Sequence, residues 1–494
     1  MAMSSHPEKY PFSIDRGQQI DPFEGDSPLV VDLDGTLART DLLVESFLAL
    51  IKQNPLYFFA ALFWVFKGKA YLKRQISRRV NLDVTVLPYH QELLSHLREQ
   101  RVHGRRVVLA TGADEQIARQ VANHLDLFDE VLGSDGMTNL SGCHKRDRLV
   151  QRFGEKKFDY AGNGRGDIPV WSSAGKAILV NVPGNLFNRI TRLVEVERVF
   201  QVSKKGMKPY VEALRLHHWL KNLLVFVPLV MAHRFLEPAL IARNLIAFLA
   251  FGLCASSVYL LNDLIDLSAD RHHPRKKKRP FAAGDLSPIF GLLASPGLFG
   301  ASLLLGLLLS SDFFWMLVIY YVLNLAYSFY FKQIVLLDVI LLAGLYTMRI
   351  MAGSASIAIW PSSWLLAFST FIFLSLALVK RYAELVIMNA ETGKVRVRGY
   401  QIIDKELLAS LGSGSGYVAV LVLAIYISSG KAEILYTRHY FIWLLCPLLL
   451  YWISYVWLIA HRGAMLDDPL VFTLKDRTSR ITLLLAGVVL LLAM

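Results

Sequence analysis

From about residue 210 onward the sequence is a succession of apolar stretches of spanning length. A run of that kind has no stable fold in water, and in a bilayer its backbone must satisfy itself as helix. Nine candidates, allowing polar interruptions, lie at 216–234, 240–262, 288–310, 313–331, 335–353, 362–380, 413–430, 439–460 and 479–494. Composition agrees, with 54% apolar residues, 19% charged residues and a mean hydropathy of +0.39. The spacing predicts a nine-helix transmembrane bundle over 213–494. Basic residues set its direction. With the N-terminal part inside, the inner loops hold Arg271, Arg275, Lys276, Lys277, Lys278, Arg279, Lys332, Lys380, Arg381, Lys394, Arg396, Arg398, Lys405, Arg462, Lys475, Arg477 and Arg480; the opposite loops hold little beyond Arg234, Lys431 and Arg438. The asymmetry accounts for much of the formal charge of +13 without nucleic acid. An odd span count puts the C-terminus outside.

Before residue 210 the apolar runs are short and charge-flanked. SPLVVDLDGT, GRRVVLATGAD, FDYAGNG and KAILVNVP each read as a strand ending in small or polar residues, with helices between them. That rhythm predicts a parallel sheet carrying a site at its strand ends, over 25–190 after a tail at 1–24. Residues 191–212 read as a helical connector. Nothing in the first thirty residues has the form of a secretory signal, so the chain is expected to begin in the cytoplasm. Residues 56–66 (LYFFAALFWVF) are uninterrupted and apolar but too short to span. A buried helix is expected there ahead of an interfacial one, although Lys67, Lys69, Lys73, Arg74, Arg78 and Arg79 follow it. Three scattered cysteines, Cys143, Cys254 and Cys446, exclude a disulfide framework and make structural zinc improbable, so any metal is held by oxygen.

Asp32 and Asp34 sit two residues apart at the end of the first strand. One carboxylate there can attack phosphorus while the other protonates the leaving oxygen and then activates water. Thr111, Lys145, Asn163 and Asp167 supply the hydroxyl, ammonium and oxygen ligands of Mg2+-dependent phosphoryl transfer. With these pieces in order, residues 25–190 resemble the haloacid dehalogenase (HAD) superfamily. The resemblance implies a Rossmann-like sheet with a helical cap between Thr36 and Thr111. It makes Asp32 the nucleophile, Asp34 the general acid/base, Thr111 a phosphate ligand, Lys145 the phosphate-orienting lysine and Asp167 a ligand of Mg2+, with Asp32, Asp34 and Asn163 completing the metal site. One departure stands out: the last motif usually begins Gly-Asp, and here it reads Gly162-Asn163.

The second span ends in Asn262-Asp263-Leu264-Ile265-Asp266-Leu267-Ser268-Ala269-Asp270. Spacings of three and four put Asp263, Asp266 and Asp270 on one helix face. Acids at a span's end are functional by default, and grouped carboxylates hold Mg2+ while leaving positions for a diphosphate. The basic loop 271–280 either clamps that anion or touches anionic lipid; His272 and His273 read as loop residues. These residues resemble the UbiA superfamily of intramembrane prenyltransferases, whose signature is NDxxDxxxD on a nine-helix bundle. The resemblance implies that Asn262, Asp263, Asp266 and Asp270 serve Mg2+. A second acidic motif, often DxxxD, is reduced here to Asp338, with Leu342 where its partner would stand.

Within that superfamily, RLHHWLKN at 215–222, HPRKKKRPFAAG at 273–284, Tyr327 with Lys332, Asp338 and Arg349, and LVKRYAEL with GKVRVRGY across 378–400 resemble the decaprenyl-phosphate phosphoribosyltransferase branch. The implied substrates are phosphoribosyl pyrophosphate (PRPP) and a polyprenyl phosphate, beside membrane lipid and without nucleic acid. Lys221, Lys276, Arg279, Lys332, Arg349, Lys380, Arg381 and Arg398 become candidate phosphate contacts. A fused phosphatase would then remove the 5-phosphate from the lipid product. The alternatives are transfer of a prenyl chain from its diphosphate to an aromatic acceptor, or a non-catalytic membrane scaffold. The expected location is the cytoplasmic membrane, multi-pass, with the N-terminal domain cytoplasmic. No segment speaks to protein partners.

Overall fold

The computed structural model describes residues 27–201, 206–392, 396–397, 399–465 and 468–494. The chain divides into two compact units, the first comprising the residues up to 46 and 56–203, the second 47–55 and 204–494.

The first unit is built on six parallel strands: β1 Leu29–Val31, β2 Val107–Asp114, β3 Glu130–Ser134, β4 Asp159–Gly162, β5 Lys176–Val180 and β6 Glu195–Phe200, in the spatial order β3-β2-β1-β4-β5-β6. Val31 lies level with Leu109 on one side and Ala161 on the other. Both faces are covered, which is why the strands read as continuous apolar runs. Leu29, Val31, Leu109 and Ile178 face one core with the helices Gln91–Val102 and Glu115–Leu125, while Val30, Val108 and Leu179 face the other with Tyr160, Trp171 and Leu186. Asp114 caps the second of those helices by accepting from Gln116 N–H at 3.0 Å. The strand order reverses between β1 and β4, and in sheets of this kind the crevice beyond the strand ends at that switch is where ligands bind.

Two expectations for this unit are corrected. The connector expected as helix contains β6 instead, because the backbone of Glu195–Phe200 pairs in parallel with β5. The apolar run forms the helix Tyr57–Phe66, but Ala61 is its one buried residue; Phe59, Phe63 and Phe66 are 68%, 62% and 89% exposed.

The second unit is helical, and seven of its helices are long and apolar enough to cross a membrane: Pro238–Ile265, Pro288–Leu309, Ser311–Phe329, Leu337–Ile357, Ser363–Ile387, Ile402–Ser428 and His439–His461. The nine expected spans are thus seven among the described residues. The first candidate instead forms a 3-10 run, Leu216–Phe226, and the short helix Val227–Met231. Its average hydropathy hides Lys221 and Asn222, both buried, and Pro228 opens the short helix. The last candidate is a helix of 17 residues, Arg477–Ala493. Helix Leu337–Ile357 is central, and a Cβ at its Gly353 would collide with the carbonyl of Val225, so only glycine allows that approach. Serines tie neighbouring helices, Ser257 Oγ to the Ser295 carbonyl and Ser302 Oγ to the Ala250 carbonyl, both at 2.7 Å.

Candidate functional site

In the first unit the switch point collects the expected residues. Asp32 directly follows β1, and its backbone N–H donates to Ala161 of β4 at 3.0 Å. Lys145, buried in helix Cys143–Phe153, donates from Nζ to Asp32 Oδ1 at 2.6 Å and to the Tyr160 hydroxyl at 2.9 Å. That hydroxyl donates to Asp167 Oδ1 at 2.7 Å, while the N–H groups of Asn163 and Gly164 each reach Asp167 Oδ2 at 3.1 Å. Asp34 accepts from Leu42 N–H at 2.8 Å. Thr111 is fully buried in β2 and accepts from Ala113 N–H. Gly35, at φ +73°, lets the loop turn; a Cβ there would run into the Asn163 side chain.

Burial and the neighbouring Asp41 push the Asp34 carboxyl up to about 7, the range a general acid needs at neutral pH. Burial disfavours the Lys145 ammonium, but Asp32 and Asp167 outweigh it and keep the lysine charged above its ordinary range. Two members escaped the sequence reading. Tyr160 joins Lys145 to Asp167, and burial keeps its hydroxyl protonated. Lys73 donates to the Gly112 carbonyl at 2.5 Å and Asn139 Oδ1 at 2.6 Å, beside Thr111. Among the described residues no three His, Cys, Asp or Glu side chains are preassembled around a metal position. The oxygen donors Asp32, Asn163 and Asp167 still suit a hard cation such as Mg2+.

Of the three motif acids of the second unit, two share a partner and the third, Asp266, has lysine partners of its own. Helix Pro238–Ile265 ends at Asp266, and a short helix, Leu267–His272, carries Asp270. Arg279 nonetheless bridges Asp263 at 3.1 Å and Asp270 at 2.5 Å, so those two share a face. Arg215 pairs with Asp263, and Lys332 reaches Asp266 at 3.1 Å. Lys276 lies half-buried in the adjoining turn. Asn262 Oδ1 is buried without a hydrogen-bond partner. An orphaned oxygen beside three carboxylates fits a hard cation, because such an ion would satisfy the lone pair that the protein leaves open.

A second cluster lies along helix Leu337–Ile357. Asp468 accepts from Lys221 Nζ at 2.7 Å, Lys380 Nζ at 3.1 Å and the Tyr346 hydroxyl at 3.3 Å. Burial opposes its charge, but Lys380 and Lys221 hold its carboxyl far below the usual range. Arg349 is buried and donates to Asn222 Oδ1 at 3.1 Å and the Tyr320 hydroxyl at 2.7 Å. His218 Nδ1 and Asn222 Nδ2 are buried without partners. Lys221 and Lys380 are thus brought together on an acid that the sequence did not single out, with Arg349 near enough to feel its charge. Replacing Asp468 by leucine removes the buried carboxylate that Lys221 and Lys380 share, so thermal unfolding in detergent is expected to show a loss of about 3 kcal/mol. Asp468→Asn, which keeps hydrogen bonds, loses less, and an equal loss would refute this account.

Asp338, expected beside the metal, is fully buried, with one oxygen on Arg381 and the other on the Tyr400 hydroxyl at 2.6 Å. Arg381 also donates to the Tyr327 hydroxyl at 2.9 Å and pairs with Glu384. Arg398 lies outside the described residues. An apolar cavity of about 470 Å³, lined by Val227, Trp360, Trp364, Phe368, Tyr426 and Leu449 among others, shares no lining residue with either acidic cluster.

Comparison with known proteins adds lineage to this geometry. Residues 223–474, just over half of the chain, match the UbiA prenyltransferase family. The uncharacterized protein y4nM of Sinorhizobium fredii is 34% identical over 93% of this chain and 90% of its own length, so the pairing of the two units occurs there too. The nodulation protein NoeC of Azorhizobium caulinodans is 34% identical over 56% of this chain and 90% of that protein. Decaprenyl-phosphate phosphoribosyltransferase of Mycolicibacterium smegmatis is 36% identical over 191 residues, which is 38% of this chain and 60% of that enzyme.

Proposed function

Because the chain belongs to the UbiA prenyltransferase family, we propose that its membrane half transfers phosphoribose from PRPP to a polyprenyl phosphate, and that its N-terminal half, as a HAD-type phosphatase, removes the 5-phosphate from the product. The observation that carries the choice of donor is leucine at position 342, where the second acid of a DxxxD motif beginning at Asp338 would stand. One carboxylate of the second acidic motif of a prenyl-diphosphate site is thereby missing. The partial likeness to a decaprenyl-phosphate phosphoribosyltransferase supports the same reading.

In this account the bond from ribose C1 to the diphosphate breaks, leaving an oxocarbenium-like centre, and a phosphate oxygen of the lipid attacks it. Asn262, Asp263, Asp266 and Asp270 would hold Mg2+, which supplies charge neutralisation for the departing diphosphate. Arg279 and Lys332, already drawn to those acids, close on the same anion. Lys221, Lys380 and Arg349 bind a second phosphate, and Asp468 with Tyr346 fixes the two lysines. Binding tests the donor: PRPP with Mg2+ is expected to raise the thermal midpoint of the detergent-solubilised protein, and prenyl diphosphate to leave it unchanged. The reverse pattern would replace this reading with ordinary prenyl transfer.

In the N-terminal half Asp32 attacks the 5-phosphate while Lys145 offsets the negative charge, and Asp34 protonates the leaving sugar oxygen. Asp34 then takes the proton of the water that hydrolyses the aspartyl-phosphate. Asp34 must enter the reaction protonated. Since its carboxyl titrates at about 7, kcat/KM for phosphate-ester hydrolysis is expected to be retained below pH 7 and to fall about tenfold per unit well above it. A profile flat from pH 6 to 9 would remove Asp34 from that role.

A further inference from the structure

The helix Tyr57–Phe66 takes no part in either site, yet it is the most apolar exposed feature of the first unit. Its ten residues extend about 15 Å, half the thickness of a bilayer's hydrocarbon core, so it cannot span. Phe58, Phe59, Leu62, Phe63, Val65 and Phe66 all stand in the open. Exposed apolar surface on this scale marks a partner. Charge identifies its kind. Between Glu45 and Asp83 there is no acid, while Lys52, Lys67, Lys69, Lys73, Arg74, Arg78 and Arg79 make the segment strongly positive. Lys73 and Arg74 turn inward to Asn139 and Asp114, whereas Lys67, Lys69, Arg78 and Arg79 remain exposed at the foot of the helix. Lys67 lies 5.3 Å from the Phe63 ring and 5.2 Å from that of Tyr71, and Arg79 lies 4.8 Å from the Trp64 ring.

Aromatic rings with cations at their edge match the layering of a lipid interface, where rings sit at the headgroup boundary and basic side chains reach back to phosphate. We propose that the helix Tyr57–Phe66 inserts its aromatic side chains into the surface of an anionic bilayer, with Lys67, Lys69, Arg78 and Arg79 on the lipid phosphates. The site then binds headgroups and acyl chains, not substrate, and the proposal stands apart from the reaction assigned to either half. The basic residues that follow the apolar run, and its lack of burial, both find a cause in it.

The test uses the full chain in nanodiscs, with the native cysteines replaced (Cys143→Ser, Cys254→Ala, Cys446→Ala) and a spin label at Phe66→Cys. A label at Met137→Cys, a position 94% exposed in the same unit, serves as the aqueous control. In nanodiscs containing phosphatidylglycerol the label at 66 is expected to gain collisions with oxygen and lose those with a water-soluble nickel chelate, relative to the control. Converting Lys67, Lys69, Arg78 and Arg79 to glutamate is expected to lower the inserted population by more than about tenfold. Access of both reagents at position 66 would mean that the helix faces water and would overturn the proposal. Exclusion of both would mean that protein covers it, and would overturn the proposal equally. Insertion that is unchanged in neutral lipid would overturn the anionic requirement.

Discussion

Asp263→Asn protein is expected to lose lipid-linked transfer by about a thousandfold or more while keeping its fold. Asp263 is 3% exposed and takes both Arg215 and Arg279 on one carboxylate, with Arg279 continuing to Asp270. Asparagine keeps the shape and an oxygen but removes the charge that a diphosphate-bound cation requires. Arg279 retains Asp270, so the thermal midpoint should move little. Asp270→Asn is expected to act in the same direction, and both variants should hydrolyse a soluble phosphate ester as the parent does. Transfer within tenfold of the parent, measured as label entering the lipid phase, would mean that the acids serve structure and not chemistry.

Asp32→Asn is expected to separate the two halves. Losing the nucleophile should lower phosphate-ester hydrolysis by about 10⁴-fold, while transfer in the membrane half continues. The lipid product should then accumulate with its 5-phosphate in place, one phosphate more than the product of the parent protein, and mass spectrometry reads that difference directly. Substitution of the aspartate leaves Lys145 with Tyr160 and, at 3.9 Å, Asp167, so the buried ammonium keeps partners and the domain remains folded. Tethering gives the pairing a use, because a product made by one half of a chain meets the other half at raised effective concentration. Identical lipid products from parent and variant would detach the N-terminal half from this pathway.

Local chemistry was legible in the sequence, and convergence was not. Asp32 and Asp34 follow an apolar strand, and Asp263 and Asp270 lie seven residues apart, so short-range geometry suffices to predict that they meet. Asp468 meets Lys221 across 247 positions of sequence, and Lys380 comes from a third helix, so no spacing reveals them. Asp468 also has an ordinary local use, accepting from Leu470 N–H at the start of a helix, and reads as a cap. Asp338 is the opposite case: an acid near a span's end is visible in the sequence, but its partners Arg381 and Tyr400, 43 and 62 positions away, are not. Averaging erased two further features. The apolar mean of 216–234 concealed Lys221 and Asn222 turning inward, and the charges of Glu195–Phe200 obscured the strand that forms one edge of the sheet. The helix at 57–66 was expected as buried ahead of interfacial, and the order was wrong because apolar character alone does not tell protein interior from exterior.

Purified full-length protein in detergent with Mg2+ is given either PRPP labelled in the ribose with polyprenyl phosphate, or labelled prenyl diphosphate with 4-hydroxybenzoate, and the lipid-soluble products are separated by charge. The account predicts that label from PRPP enters the lipid, that the lipid has lost the 5-phosphate in the parent protein and keeps it in Asp32→Asn, and that the second mixture yields nothing. Label appearing in the prenylated aromatic product, with none entering polyprenyl phosphate from PRPP, would contradict it.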